Sequence, residues 1–302
     1  MLVPFKQLML DAERRNYAVG YFESWNLESL LAVADAAEAT GSPVILGFSG
    51  IYLPHPNRVV SDPLSAYAAM GRAVCQRLSV PACLLFNESP NFDWVMEAIK
   101  QQFQLVMFSD DTLTFERQTE LIRQICERAH GADAAVEAEM QALPGVAGRL
   151  SEWQRNPDDQ DQYTNAESAL EFVERTGIDA LAVNIGQIHL HGRQTVSLRF
   201  DVLERIQETV SVPLVLHGAS SVEIEDLSRA TQSGIRKVNV GSVLKQAWFD
   251  AMRRAAIPVT QEANPYEILG SGFDCDVLTV GRIAMQRKVE QLMACFGSAG
   301  KA

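Results

Sequence analysis

Three side chains with metal-ligand chemistry each follow a short apolar run of the sequence. Glu88 follows "VPACLLF", His189 follows "IDALAVNI" and His217 follows "VPLVL". Two imidazoles and a carboxylate bind Zn²⁺ and also suit Mn²⁺ or Fe²⁺, and they leave positions open for a substrate oxygen. A single histidine at a strand end is explained equally well by a hydrogen bond. Two histidines with a carboxylate predict a divalent-metal site, with Zn²⁺ favoured.

Two turns of small residues are candidates for binding a phosphate group. The turn at 217–221 reads "HGASS" and the turn at 239–243 reads "NVGSV". Gly218 and Gly241 allow backbone N–H groups to approach an anion, and Ser220 and Ser242 add hydroxyl donors before a helix. The alternative is that these serines only cap helices. Because both turns occur in one chain, we favour a phosphate site.

Eight short apolar runs alternate with segments of helical periodicity. The runs begin at Tyr17, Pro43, Val80, Gln104, Ala134, Ile178, Val212 and Arg236. Apolar strands that alternate with amphipathic helices indicate a parallel sheet covered by helices. Eight such units over roughly 250 residues favour a closed (β/α)8 TIM barrel of class α/β over an open sheet.

In such a barrel, chemistry is expected at the carboxyl ends of the strands, and phosphate commonly binds at the loops after strands seven and eight. The residues at the predicted strand ends are Glu23, Ser49, Asn87, Glu88, Ser109 to Asp111, Glu139, His189, His217 and Asn239 to Ser242. We therefore expect these side chains to meet at one face of the barrel.

The chain is predicted to form a single domain over residues 1–302, with a helical C-terminal extension from about 258 to 302. The long polar connection at 143–165, after strand five, exceeds an ordinary loop and is interpreted as an active-site flap.

Composition excludes several classes of protein. The net charge of −12 argues against a nucleic-acid partner, because phosphate contacts need clustered Lys and Arg. No apolar run reaches the ~18 residues of a membrane span, so we expect no membrane partner and a cytoplasmic location. The five cysteines form no Cys-x-x-Cys pair, and we interpret them as reduced core residues.

The whole chain resembles the class II, metal-dependent ketose-bisphosphate aldolases. "PLVLHGASS" and "KVNVGSVL" are the specific part of the likeness, and "VEAEM", "LAVNIGQIH" and the terminal "FGSAGKA" are similar to other units of that family. The resemblance implies a (β/α)8 barrel that forms a homodimer or homotetramer. It also implies a phosphorylated sugar substrate and a divalent metal that stabilises an enediolate of the dihydroxyacetone phosphate type.

The resemblance implies roles for individual residues. His189 and His217 match metal-binding histidines. Four residues match the phosphate site of the family: Gly192, Gly218, Ser220 and Ser242. Asn239 matches a residue near the substrate hydroxyls, Ser49 one near the phosphate-bearing end, and Glu139 a carboxylate near the metal. "GQIHLHG" leaves open whether His189 or His191 is the ligand, because His191 is the one adjacent to Gly192.

The chain departs from the family pattern after strand three. Asn87, Glu88 and Ser89 stand where the family has Asp-His-Gly, in which the aspartate is the general acid/base and the histidine a third metal ligand. Glu88 can replace a histidine as ligand. Asn87 cannot exchange a proton near neutral pH, although it can hydrogen-bond a hydroxyl. Glu23 and Ser109 also replace the usual Asn and Asp.

Three functional hypotheses follow, with Asn87, Glu88 and Glu139 as the catalytic candidates. The first is a metal-dependent lyase that makes or breaks a carbon–carbon bond of a phosphorylated ketose. Under this hypothesis, the general acid/base role of the missing aspartate passes to Glu88, to Glu23 or to an acid of the flap such as Glu152, Asp158 or Asp159. The second is a sugar-phosphate isomerase or epimerase, and the third a barrel that binds sugar phosphates without catalysis.

Overall fold

A closed ring of eight parallel strands forms the centre of the molecule. The computed structural model describes residues 1–141, 143, 163–188 and 195–302. The strands are β1 Val19–Ser24, β2 Val44–Ser49, β3 Ala82–Ser89, β4 Leu105–Phe108, β5 Ala135–Glu139, β6 Ala180–Val183, β7 Leu214–Leu216 and β8 Ile235–Val240. Each strand pairs with the next, and β8 pairs with β1. The predicted (β/α)8 barrel is confirmed.

Helices cover the outside of this ring and one of its ends. They are α1 Phe5–Arg15, α2 Leu27–Thr40, α3 Leu64–Arg77, α4 Phe92–Lys100, α5 Phe115–His130, α6 Ala166–Thr176, α7 Phe200–Thr209, α8 Ile224–Gln232, α9 Ser242–Ala256, α10 Pro265–Ile268 and α11 Val277–Cys295. The helices α10 and α11 confirm that the C-terminal extension is helical. Most of the predicted flap, 144–162, lies outside the described residues.

The helix α11 and the residue that follows it pack against the first β/α unit of the barrel. Arg282 pairs with Asp35 of α2 at 2.6 Å, and Phe296 stacks on Phe22 of β1 with ring centroids 6.2 Å apart. The apolar core between strands and helices therefore extends under α11. No described helix is both long and apolar enough to span a membrane.

Three of the five cysteines fit the predicted core role and one does not. Cys75, Cys83 and Cys126 are buried, and Cys295 is partly buried. Cys275 is exposed, so the prediction is wrong for it, because the segment between α10 and α11 lies on the surface.

The helix α1 fills the amino-terminal end of the barrel, a position that the strand pattern did not predict. Its apolar residues Phe5, Leu8, Met9 and Ala12 recur at helical spacing and are buried. They form one apolar cluster with inward-facing strand residues such as Ile45. This helix closes the barrel opposite the expected active-site face.

We expect Leu8→Ala to lower the free energy of unfolding by about 2–5 kcal/mol, because it leaves a cavity under the barrel. Leu10→Ala in the same helix is the matched control, since Leu10 is 55% exposed and Leu8 only 2%. Its expected effect is within about 0.5 kcal/mol. Chemical denaturation measures both values, and equal effects would contradict the assigned packing of α1.

Candidate active site

A cavity of about 370 Å³ opens at the carboxyl ends of the strands. Its walls include the predicted residues Glu23, Ser49, Asn87, Glu88, His217, Gly218, Ser220, Asn239 and Ser242. Side chains from β1, β2, β3 and the loops after β7 and β8 therefore meet at the face where barrel chemistry is expected.

A local distortion of β3 turns two consecutive side chains towards this cavity. Successive side chains of a regular strand point to opposite faces. The register between β3 and β4 shifts between Phe86 and Ser89, and Glu88 has a φ of 51°. This left-handed conformation costs about 1–2 kcal/mol in a non-glycine residue. It allows both Asn87 and Glu88 to line the cavity.

Three of the predicted residues bring ligand atoms together at this mouth. One atom each from Glu88, Glu139 and His217 lies within 4.8 Å of the others. His217 Nδ1 is 2.6 Å from Glu88 Oε1, and Ser109 Oγ donates to Glu139 Oε1 at 2.5 Å. His217 and Glu139 are buried, whereas the Glu88 side chain is 16% exposed on the cavity side. The cluster joins β3, β5 and β7.

A buried carboxylate below the cluster fixes the imidazole. Glu137 Oε1 lies 2.7 Å from His217 Nε2, and its Oε2 lies 2.7 Å from Lys237 Nζ. Glu137 and Lys237 are both fully buried in the barrel. Neither residue was predicted from the sequence, although a charged residue inside each of the apolar runs "VEAEM" and "RKVNV", two positions before Glu139 and Asn239, was the available signal.

The charges of this cluster shift the pKa values of two groups. Burial alone lowers the pKa of an imidazole, but the carboxylates of Glu88 and Glu137 outweigh it and raise the pKa of His217 to about 10. Burial raises the pKa of Glu139 to about 7, with help from the charge of Glu88 and against the opposing effects of His217 and Ser109. Without a metal, His217 therefore carries a proton at neutral pH.

A chain of hydrogen bonds orients the amide of Asn87. Lys237 Nζ donates to Asn239 Oδ1, and Asn239 Nδ2 donates to Asn87 Oδ1 at 3.2 Å. Because an ammonium group is only a donor, it sets the direction of both amides. With its Oδ1 engaged as an acceptor, Asn87 has its NH₂ group as the donor that it offers in the cavity wall.

The two small-residue turns are linked to each other. Gly218 has a φ of 64°, which favours glycine. Ser220 Oγ accepts a hydrogen bond from the backbone N–H of Val243 at 3.3 Å. Ser220 thus caps the first turn of α9 rather than the helix that follows it, while Ser242 begins α9.

A cation that the sequence analysis did not single out lies in the cavity wall. Lys245 Nζ is 2.5 Å from Glu23 Oε1 and 4.9 Å from the centre of the Tyr52 ring. A Cβ atom at position 241 would approach Glu23 Oε2 to 2.4 Å, so Gly241 makes room for this carboxylate. Glu23 is therefore an ion-pair partner in this structure.

Several predicted residues lie outside the described part of the chain. These are His189, His191, Gly192, Glu152, Asp158 and Asp159. Their roles stay predictions.

A closed parallel barrel with an acid–imidazole cluster beside a cavity at the carboxyl ends of its strands has the arrangement of a barrel enzyme. A family model described as "Fructose-bisphosphate aldolase class-II" matches residues 3–301. The chain belongs to that family, and it is an aldolase-like lyase.

Solved structures agree with this assignment. The YdjI aldolase from Escherichia coli K12 is 29% identical, with a TM-score of 0.80 over 100% of both chains. A putative fructose-1,6-biphosphate aldolase from Coccidioides immitis is 25% identical, with a TM-score of 0.79 over 98% of this chain and 97% of that one. A fructose-bisphosphate aldolase from Campylobacter jejuni, 21% identical with a TM-score of 0.80 over 100% and 97%, shares the fold.

We expect Lys237→Met to lower the free energy of unfolding by about 3–5 kcal/mol, because it leaves the carboxylate of Glu137 buried without its lysine partner. The double variant Lys237→Met/Glu137→Gln should lose less than the sum of the single variants. Chemical denaturation of all four proteins measures this coupling.

Lys100→Met is the control for this cycle. Its ion pair with Glu97 is exposed, so its expected cost is below about 1 kcal/mol. Strict additivity of the Lys237 and Glu137 variants would contradict the buried pair.

Proposed function

We propose that the protein makes or breaks a carbon–carbon bond next to the carbonyl of a phosphorylated ketose, with the help of a divalent metal. The observation that carries this proposal is the cluster of Glu88, Glu139 and His217 beside a cavity walled by the turns after β7 and β8. Membership of the class II aldolase family supports both the reaction and the need for a metal.

The donor set fits a divalent metal. Ligand atoms bound to one Zn²⁺, each about 2.0–2.2 Å from it, lie no more than about 4.4 Å apart. His217 Nδ1 and Glu88 Oε1, 2.6 Å apart, lie within this limit, and Glu139 lies within 4.8 Å of both as a neighbouring carboxylate. Glu137 holds His217 Nε2, the kind of carboxylate contact that orients a metal-bound imidazole. Zn²⁺ is our first choice, with Mn²⁺ and Fe²⁺ as alternatives.

We assign Glu88 and His217 to the metal, together with His189 as a proposed third ligand. A metal held by these residues would supply Lewis-acid stabilisation of negative charge on the carbonyl oxygen of the substrate. Metal uptake must displace the proton of His217, because the pKa of that group is raised to about 10. The affinity for metal therefore decreases as the pH is lowered.

We assign proton exchange to Glu139. Its pKa of about 7 lies near the working pH of a cytosolic enzyme, where a carboxyl group can both accept and return a proton. Ser109 holds Oε1, so Oε2 is the oxygen that exchanges the proton. Asn87 donates a hydrogen bond to a substrate oxygen in place of the proton-exchanging aspartate that the family has at this position.

We assign the phosphate end of the substrate to the wall formed by Gly218, Ser220, Ser242 and Lys245. The two turns meet there through the hydrogen bond between Ser220 and Val243, and Lys245 adds a positive charge. Ser49 and Asn239 line the same cavity and contact the rest of the substrate in this proposal.

The fixed amide of Asn87 favours one alternative. Isomerisation or epimerisation through the same enediolate needs one proton carrier and no acid at position 87. The assay below separates it from the lyase, because only a lyase splits the carbon chain into two shorter carbonyl compounds. A homodimer or homotetramer in the cytoplasm remains our proposal for the assembled protein.

We expect the native protein to bind about one Zn²⁺ per chain, with an affinity that rises with pH. Glu88→Ala should weaken binding at least about tenfold, because it removes a ligand. Glu23→Gln is the matched control, since Glu23 lines the same cavity but pairs with Lys245. Calorimetry with Zn²⁺ at several pH values tests this. The metal site is wrong if Glu88→Ala binds Zn²⁺ as the native protein does.

We expect the native protein to cleave a ketose 1-phosphate or a ketose bisphosphate. Glu139→Gln should lower kcat by about 10²–10⁴-fold, because it removes the proton carrier. Glu120→Gln, on the outer face of α5, should keep full activity. The measurement is the formation of two shorter carbonyl products from a panel of substrates. If only Asn87→Asp shows cleavage, the lyase assignment for the native protein fails.

A further inference from the structure

A buried hydroxyl in the cavity wall lacks the partner that such a group normally has. Tyr21 of β1 is 2% exposed and lines the cavity, and its hydroxyl has no hydrogen-bond partner among the described residues. Most buried polar groups are hydrogen-bonded, and leaving one unsatisfied is unfavourable. The hydroxyl adds nothing to apolar packing that phenylalanine would not supply, so stability does not account for it.

The charges around Tyr21 limit what it can bind. Burial and the carboxylates of Glu23, Glu88 and Glu137 raise the pKa of Tyr21 well above its ordinary value, so the hydroxyl keeps its proton and is a donor. Each of these carboxylates is paired with a cation, Lys245, His217 or Lys237, so this part of the cavity has no surplus positive charge for an anion. An uncharged hydroxyl or carbonyl oxygen fits this position, whereas a phosphate group does not.

The position of Tyr21 in the barrel matches this role. Tyr21 pairs in register with Asn239 of β8, whose amide holds that of Asn87. Glu23 follows Tyr21 by two residues in β1, nearer the carboxyl end of the strand. Lys245, the cation of the cavity wall, pairs with Glu23. The donors of Tyr21 and Asn87 thus belong to the floor of the cavity, and the positive charge belongs to its rim.

We propose that the Tyr21 hydroxyl donates a hydrogen bond to an uncharged oxygen of the substrate carbon chain, and so positions a hydroxylated ketose in the cavity. This inference rests on the proposed function and adds a specificity-determining residue to it. It assigns the carbon chain to the floor and the phosphate group to the rim near Lys245.

The test is the isosteric variant Tyr21→Phe, with two readouts of opposite sign. Its melting temperature should rise, because an unsatisfied buried hydroxyl is removed. Its Kd for dihydroxyacetone phosphate should rise about three- to tenfold, because a substrate hydrogen bond is lost. Its Kd for inorganic phosphate should stay unchanged, because that ion has no carbon chain.

Tyr17→Phe is the matched control. Tyr17 is equally buried, but its hydroxyl donates to Asp11 Oδ2 at 2.9 Å, away from the cavity. This variant should melt at a lower temperature and bind both ligands as the native protein does. Calorimetry with the two ligands and thermal unfolding give all the values.

Each other outcome overturns the assignment. A lower melting temperature for Tyr21→Phe shows that a buried water satisfies the hydroxyl and that its role is structural. An unchanged Kd for dihydroxyacetone phosphate, with binding by the native protein, removes Tyr21 from the site and leaves the proposed function intact. If the native protein binds no phosphorylated ketose, the proposed function and the role of Tyr21 fail together.

Discussion

The buried carboxylate of Glu137 is the constraint on which the candidate active site depends. A carboxylate in an apolar barrel is unfavourable unless cations and donors surround it, and Lys237 and His217 both do so within 2.7 Å. One contact fixes the imidazole that faces Glu88. The other fixes Lys237, whose ammonium group then orients the amides of Asn239 and Asn87. The positions of the polar groups at the mouth thus follow from one charge beneath them.

The arrangement of the candidate active site also depends on the local distortion of β3. A regular strand would place Asn87 and Glu88 on opposite faces, so only one of them could reach the cavity. The left-handed conformation of Glu88 places both side chains at the cavity. The backbone strain of this conformation must be offset by the strand pairing around it. The backbone therefore brings a carboxylate and a fixed amide side by side to the cavity.

The fold was predictable from sequence because apolar runs and amphipathic helices repeat eight times, and the two turns at 217–221 and 239–243 stand out locally. The helix α1 was missed because the fold was predicted from the apolar runs of the strands, although Phe5, Leu8 and Met9 have helical spacing. Glu137 and Lys237 were missed because their pairing joins β5 and β8, which are distant in the sequence. The expectation that functional residues lie at strand ends also does not cover residues two positions earlier, inside the barrel. The φ of Glu88 depends on register with β4, which no local pattern of "LLFNES" reveals.

The cluster at the mouth also bears on how the ring holds together. Glu88 and His217 are 129 residues apart in the chain, and their carboxylate and imidazole meet only when β3 and β7 belong to one barrel. Any ligand that binds both must favour the native over the unfolded chain by mass action, since the unfolded chain would first have to close that long loop. The same atoms proposed for chemistry are thus placed to act as a reversible cross-link between the two halves of the barrel.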